Sequence, residues 1–280
     1  MRVDTTGKIS LDHIYTRPDP RAYFSTLRDL GYNIPELAKP HFQRLIAEYR
    51  KARGVPVPTV LDIGCSYGIN AALVKHGATM AELYDRYSGR DAHRRTRAAL
   101  VTRDRELVES GAQANAVRFL GLDASGSALA YALDAGFLDG AVHADLEDAE
   151  PTGGQRARLA AADLVISTGC LGYVTERTIA RIVAAAGEYR GGRLPWMAHF
   201  VLRMFPFDPI ADTLAAAGYE TVRRDGLFRQ RRFATPEERA SVLERLEEVG
   251  VDPGGLETDG WFYAQLYVSR PRGTYSRGTK

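Results

Sequence analysis

The sequence is poor in cysteine. Two residues in 280, Cys65 and Cys170, are too few for a disulfide framework or a thiolate zinc site, and they point to a reducing, cytoplasmic setting. No apolar run approaches the ~18 residues of a membrane helix. The N-terminal MRVDTTGKISLDHIY has no apolar segment of the secretory kind, so neither a membrane partner nor export is expected. Excess charge is missing as well: a formal net charge of +2 argues against a nucleic-acid partner. There is no internal repeat and no low-complexity tract. With 45% hydrophobic and 26% charged residues, the chain reads as one ordinary globular domain with accessory helices.

Residues 19 to 53 carry helical periodicity, with Arg21 to Leu30 and Glu36 to Lys51 as two amphipathic stretches around a Gly31-Tyr32-Asn33 turn. Pro35 suits a first helical position. Val60 to Ile63 is a short apolar run ending at Gly64, which reads as a buried parallel strand. Helix and strand then alternate. Helices are expected at Asn70 to Lys75, Ser127 to Ala135, Glu176 to Ala185 (capped by Thr175) and Pro209 to Ala217. Strands are expected at Ala116 to Asp123, Gly140 to Asp145, Ala162 to Thr168 and Trp196 to Met204. Glu220 to Phe233, with a turn at Asp225-Gly226, and Trp261 to Ser269 complete the set. Thr235-Pro236-Glu237-Glu238 has a capping-box pattern opening one more helix.

This alternation predicts an α/β fold, doubly wound, with a mostly parallel seven-stranded Rossmann-like sheet. Residues 1–54 form an N-terminal helical lid, 55–270 the core, and 271–280 a frayed tail. A helical insertion of about residues 78–113 follows the first strand-helix unit. Its Arg90, Arg94, Arg95, Arg97, Arg103 and Arg105 alternate with Asp91, Asp104, Glu106 and Glu109, the pattern of a solvated helix face rather than a polyanion site.

The most informative stretch is Val60-Leu61-Asp62-Ile63-Gly64-Cys65-Ser66-Tyr67-Gly68. A strand that ends in a carboxylate and enters a glycine turn places backbone beside a small molecule, because glycine removes the side chain where a ligand must approach. The G-x-x-x-G spacing departs from the G-x-G-x-x-G of nicotinamide and flavin sites. LDIGCSYG resembles the first motif of the class I S-adenosylmethionine-dependent methyltransferases, with Ser66 in place of the middle glycine.

The resemblance implies S-adenosyl-L-methionine as cofactor and S-adenosyl-L-homocysteine as product. Asp62 would hold the methionine end, with Gly64, Cys65, Ser66 and Gly68 wrapping the cofactor. Asp123 and Ala124 match the ribose-binding position, although the insertion lengthens the gap before them. Asp145 and Leu146 match the adenine position, and Ser167, Thr168 and Gly169 the position facing the transferred methyl.

Methyl transfer from a sulfonium is a direct displacement, and positioning alone supplies up to roughly 7–11 kcal/mol. A general base adds about 10²–10⁴-fold only where the nucleophile carries a proton. Tyr15, Tyr173 and His199 are the candidates for such a role, with a satisfied core histidine as the plainer reading of His199. Arg203, at the end of its strand, suits an acidic substrate group or a salt bridge. Cys170 reads as a buried thiol, since the Pro-Cys signature of pyrimidine-carbon methylation is absent. The Asn-Pro-Pro-Tyr-like motif for exocyclic amines is missing too, as is an acidic cluster for magnesium, so no metal is expected.

His13, Tyr15, Tyr23 and Phe24 in the N-terminal segment, together with Tyr173 and Arg203, are the expected substrate contacts. A closing aromatic lid excludes water and suits a flat acceptor. The expectation is therefore methylation of a small molecule, with an aromatic acceptor of specialised metabolism as one candidate. A methyltransferase for RNA or protein, or a non-catalytic cofactor-fold protein, is the competing reading. The N-terminal and inserted helices are candidate surfaces for a homodimer.

Overall fold

The computed structural model describes residues 11–111, 116–189, 191 and 193–273. Parts of the expected lid, insertion and tail, at residues 1–10, 112–113 and 274–280, lie outside them. Strands β1 (Thr59–Ile63), β2 (Arg118–Asp123), β3 (Gly140–His143), β4 (Leu164–Thr168) and β5 (Trp196–Leu202) form a parallel array. Strands β6 (Tyr219–Arg223), β7 (Phe228–Arg232) and β8 (Trp261–Pro271) complete the sheet. Its order is β3-β2-β1-β4-β5-β8-β6, with β7 also pairing to β8 and the three late strands antiparallel.

Residue alternation explains the two-sided core. Val60, Leu164 and Trp196 join one apolar cluster, while their neighbours Leu61, Val165 and Met197 join another. Successive strand side chains point to opposite faces, so strands buried on both faces must be apolar throughout. Helix α3 (Ile34–Arg53) packs into the first cluster through Phe42, Leu45 and Tyr49. Helices α9 (Gly153–Ala160), α10 (Glu176–Tyr189) and α11 (Asp208–Ala216) pack into the second. A third cluster joins α1 (Asp12–Tyr15) and α2 (Arg21–Asp29) to α4 (Ile69–Val74), α8 (Gly126–Asp134) and the insertion.

The insertion is three helices, α5 (Met80–Ser88), α6 (Arg90–Arg94) and α7 (Arg97–Gly111). Of the six arginines named above, four are engaged within the chain: Arg95 with Asp91, Arg97 with Asp134 and the Pro18 carbonyl, Arg103 with the Arg86 carbonyl, and Arg105 with the Asp134 carbonyl.

Three details differ from the sequence reading. The sheet has eight strands, because 220–233 is two strands lying end to end along β8 rather than one. Helix α9 has no counterpart in that reading; a capping box between Thr152 and Gln155 opens it. The box expected at α12 (Pro236–Glu248) is only half formed. Thr235 Oγ1 accepts from Glu238 N at 3.2 Å, but the Glu238 carboxylate turns away to Arg231 and the Ala234 amide. No helix of the described residues is long and apolar enough to cross a membrane.

Candidate active site

Strands β1 and β4 are neighbours whose following connections lead to opposite faces, which opens a crevice at their carboxyl ends. The turn after β1 fills that crevice with backbone. Gly64, Ser66 and Gly68 have φ of 65°, 50° and 78°, and Ser66 is the one non-glycine residue with positive φ among those described. Gly64 is sterically required. A Cβ there would stand 2.7 Å from Cys170 Cβ, in the connection after β4. Gly68 starts α4 and packs against Ala132 and Phe137 behind the turn, away from the crevice.

Asp123 closes the other side. Its Oδ2 accepts from Ser66 N and its Oδ1 from Ser125 N, both at 2.8 Å, so one carboxylate ties the β1 turn to the β2 turn. Burial raises its pKa even though these amides favour the charged form. This combination of strand order and glycine turn at the switch point decides the architecture. The chain has a doubly wound, Rossmann-like α/β fold.

The crevice opens into a cavity of about 510 Å³, within the usual ~300–1,000 Å³ of small-molecule sites. Its roof is the N-terminal segment. The Tyr67 hydroxyl lies 3.0 and 2.9 Å from the carbonyls of Ile14 and Arg17, and Ser125 Oγ donates to the Tyr15 carbonyl at 2.7 Å. Tyr23 anchors the same segment through edge-to-face contacts with Tyr15, Tyr32 and Tyr67.

Of the residues read from sequence, Gly64, Cys65, Ser66, Asp123, Ala124, Asp145, Thr168 and Gly169 meet at this cavity. Tyr15, Tyr23 and Tyr173 line it too. Asp62 does not. It is fully buried beneath the turn, where Asn70 Nδ2 donates to both its oxygens at 3.0 and 3.2 Å. Burial pushes its pKa up to about 8, with the Asn70 hydrogen bonds pulling the other way. Asn70, on α4, is the residue that reaches the cavity wall.

Several expected contacts lie elsewhere. His199 is buried beside Phe207 with Nδ1 2.8 Å from Ser167 Oγ, and burial lowers its pKa to about 3. Both residues are therefore core partners off the cavity, and His199 is neither exposed to a ligand nor basic. Arg203 donates to Glu257 and to the Asp252 carbonyl, each at 2.7 Å, which consumes its charge structurally. Phe24 is buried and stacked on Tyr87. Leu146 belongs to the core on the far face. His13 is exposed, outside the cavity lining. The Cys170 thiol donates to the Ile63 carbonyl and burial pushes it up to about 12, which suits a packing role.

The cavity also recruits residues to which the sequence reading gave no site role. Tyr32 lines it between α2 and α3, its ring edge-to-face on Tyr23. Gln230 and Arg231 enter from β7, where a register shift between Arg229 and Arg232 turns two consecutive side chains inward. Such bulges re-aim side chains, and no alternation pattern announces them. Among the described residues, no group of three His, Cys, Asp or Glu is arranged to hold a metal ion.

No family model and no curated protein matches the chain. Solved structures give weak likenesses. The 4+2 cyclase SpnF is 14% identical over 82% of this chain and 81% of its own, with a TM-score of 0.40. The plantazolicin methyltransferase BpumL, solved with SAH, is 12% identical over 93% of each chain, also at 0.40. Magnesium protoporphyrin IX methyltransferase from Synechocystis PCC 6803, solved with SAM, is 12% identical over 83% and 79%, at 0.39. The residue assignments rest on this chain's own geometry.

Proposed function

We propose that the chain is an S-adenosylmethionine-dependent methyltransferase acting on a small molecule. The observation that carries the reading is Asp123, a cavity-lining carboxylate held by the amides of Ser66 and Ser125 at the lip of the β1 glycine turn. With each oxygen already accepting one amide, lone pairs remain for the two ribose hydroxyls of the nucleoside.

The residues fit this cofactor in other respects. The Ser66 hydroxyl and Asn70 Oδ1 are buried with no partner among the described residues, an arrangement that costs roughly 1–3 kcal/mol each until a ligand or water satisfies them. Gly64 lines the cavity as bare backbone, its missing Cβ making room for the Cys170 side chain. Asp145 lines the cavity beyond Asp123, where the adenine would lie. Behind Asn70, the Asp62 carboxyl supplies negative charge to the site as it ionises, which favours a cationic ligand.

The bound cofactor supplies an electrophilic methyl on a sulfonium. The chain's part is to align and to dry the site. Tyr15, Tyr23 and Leu27 of the N-terminal lid cover the cavity, and Tyr67 and Ser125 fasten that lid to the cofactor turns. Among the described residues no histidine or lysine lines the cavity, and on this reading rate enhancement comes from proximity and orientation. A roofed chamber of this size supports a small acceptor.

Calorimetric titration with S-adenosylhomocysteine tests the reading. We expect one site per chain, with affinity lowered about 10- to 100-fold in Asp123→Ala, the scale of lost hydrogen bonds to a charged group. An absence of heat with the wild-type protein would falsify the assignment.

A further inference from the structure

The strand order divides the cavity. The turns after β1, β2 and β3 bring Asp123, Ser125 and Asp145 to one side, the half assigned above to the cofactor. The turn after β4, the lid and β7 bring Tyr23, Leu27, Tyr32, Pro35 and Gln230 to the other. Tyr23, Tyr32, Leu27 and Pro35 give that second half aromatic and aliphatic walls, with the Gln230 amide and the tyrosine hydroxyls among its polar groups.

Charge is nearly absent there. Among the described residues lining the cavity, only Asp123, Asp145 and Arg231 are ionic. Arg231 is neutralised by a two-pronged pair with Glu238, at 2.9 and 2.6 Å, and both side chains are buried. A charged acceptor entering this half would lose its hydration without meeting a counter-charge, a large cost.

Two groups on this side can donate to a ligand. Asn70 Nδ2 donates to Thr168 Oγ1 at 3.2 Å, and Tyr32 lines the same cavity with its ring edge-to-face on Tyr23. The Tyr32 hydroxyl carries one proton to donate. Burial holds that phenol protonated, so it acts as a donor rather than a base. Gln230 presents its amide over Gly169, a position at which any Cβ would collide with Nε2. The amide oxygen has no partner among the described residues, and nothing there accepts from the amide nitrogen.

We propose that this half of the cavity recognises an uncharged, flat molecule through a carbonyl oxygen, held by the hydroxyl of Tyr32 and the amide N–H of Gln230. The inference rests on the methyltransferase reading, since it treats the half beyond Gly169 as the acceptor compartment. Tyr32 and Gln230 then fix which edge of the molecule turns toward the transferred methyl.

The test uses protein saturated with S-adenosylhomocysteine and three probes of one shape: chromone, naphthalene and chromone-2-carboxylate. Dissociation constants come from ligand-observed NMR. Chromone is expected to bind about tenfold more tightly than either of the others, the scale of one net hydrogen bond. Tyr32→Phe and Gln230→Met should each reduce that preference to about threefold or less, while S-adenosylhomocysteine affinity, measured on the same variants, shows that the fold is intact. The wild-type comparison stands even if a variant fails to fold. Equal binding of chromone and naphthalene, tighter binding of the carboxylate, no binding of any probe, or a preference that survives both variants overturns the inference while the cofactor reading stands. Failure of the wild-type protein to bind S-adenosylhomocysteine overturns both, and is registered before any probe is added.

Discussion

Asn70 donates through Nδ2 to both carboxylate oxygens of Asp62, at 3.0 and 3.2 Å, and so stands between a buried acid and the cavity. The acid at the end of β1 reaches the ligand space only through this amide. In the cofactor site proposed above its part is electrostatic and depends on protonation.

The folded state holds the Asp62 proton up to a pH of about 8, whereas the ordinary value is 3.8. Stability from this group is fully present below the ordinary value and is lost as pH rises through about 8. Without cofactor, Asp62→Asn should show a smaller fall in Tm between pH 6 and pH 9 than the wild type, by scanning calorimetry. A cationic cofactor favours the ionised acid, so binding at pH 6 to 7 should release a proton. Titration in buffers of different ionisation heat measures that release, and Asp62→Asn should abolish it.

Ser66 holds a left-handed backbone, with φ of 50°, where its Cβ is strained by roughly 1–2 kcal/mol. Ser66→Gly relieves the strain but adds freedom to the unfolded chain, so a net gain of about 1 kcal/mol or less in urea unfolding is expected. A loss of stability would mean that the unpartnered hydroxyl contributes more than the strain costs.

Gly64 has the opposite sensitivity. Gly64→Ala sets a Cβ 2.7 Å from Cys170 Cβ while keeping φ at 65°. Crowding and backbone strain together should cost about 2–4 kcal/mol. The double variant Gly64→Ala with Cys170→Gly should recover part of that loss if the clash is the cause; chemical denaturation of the three proteins resolves it.

His199 and His76 are buried as neutral imidazoles, with pKa lowered to about 3 and about 4 from an ordinary 6.5. The unfolded chain binds these protons first as pH falls. Their contribution is present above pH 6.5 and lost progressively below it. His199→Gln should flatten the decline of Tm between pH 6.5 and pH 4. Its S-adenosylhomocysteine affinity should stay within about twofold of wild type at pH 7.5, since a core histidine touches no ligand. A tenfold change would return His199 to the site.

The sequence by itself determined the layered α/β architecture and the turn of bare backbone that follows β1. Val60 to Ile63 must be a strand buried on both faces, and Gly64 to Gly68 must be a turn of bare backbone, because both properties are local and written in consecutive residues. Asp123 was legible for the same reason, as the last residue of a strand beside that turn. Tertiary structure alone decided which polar groups face the cavity. Asp62, His199 and Arg203 were taken by Asn70, Ser167 and Glu257, partners that lie 8, 32 and 54 positions away. Gln230 and Arg231 were delivered by a break in the pairing of β7 with β8, and Tyr32 by the packing of α2 and α3 over Thr168. Side-chain periodicity reports the face of one element, whereas hydrogen-bond partnership is settled by whichever distant groups the folded chain brings within reach.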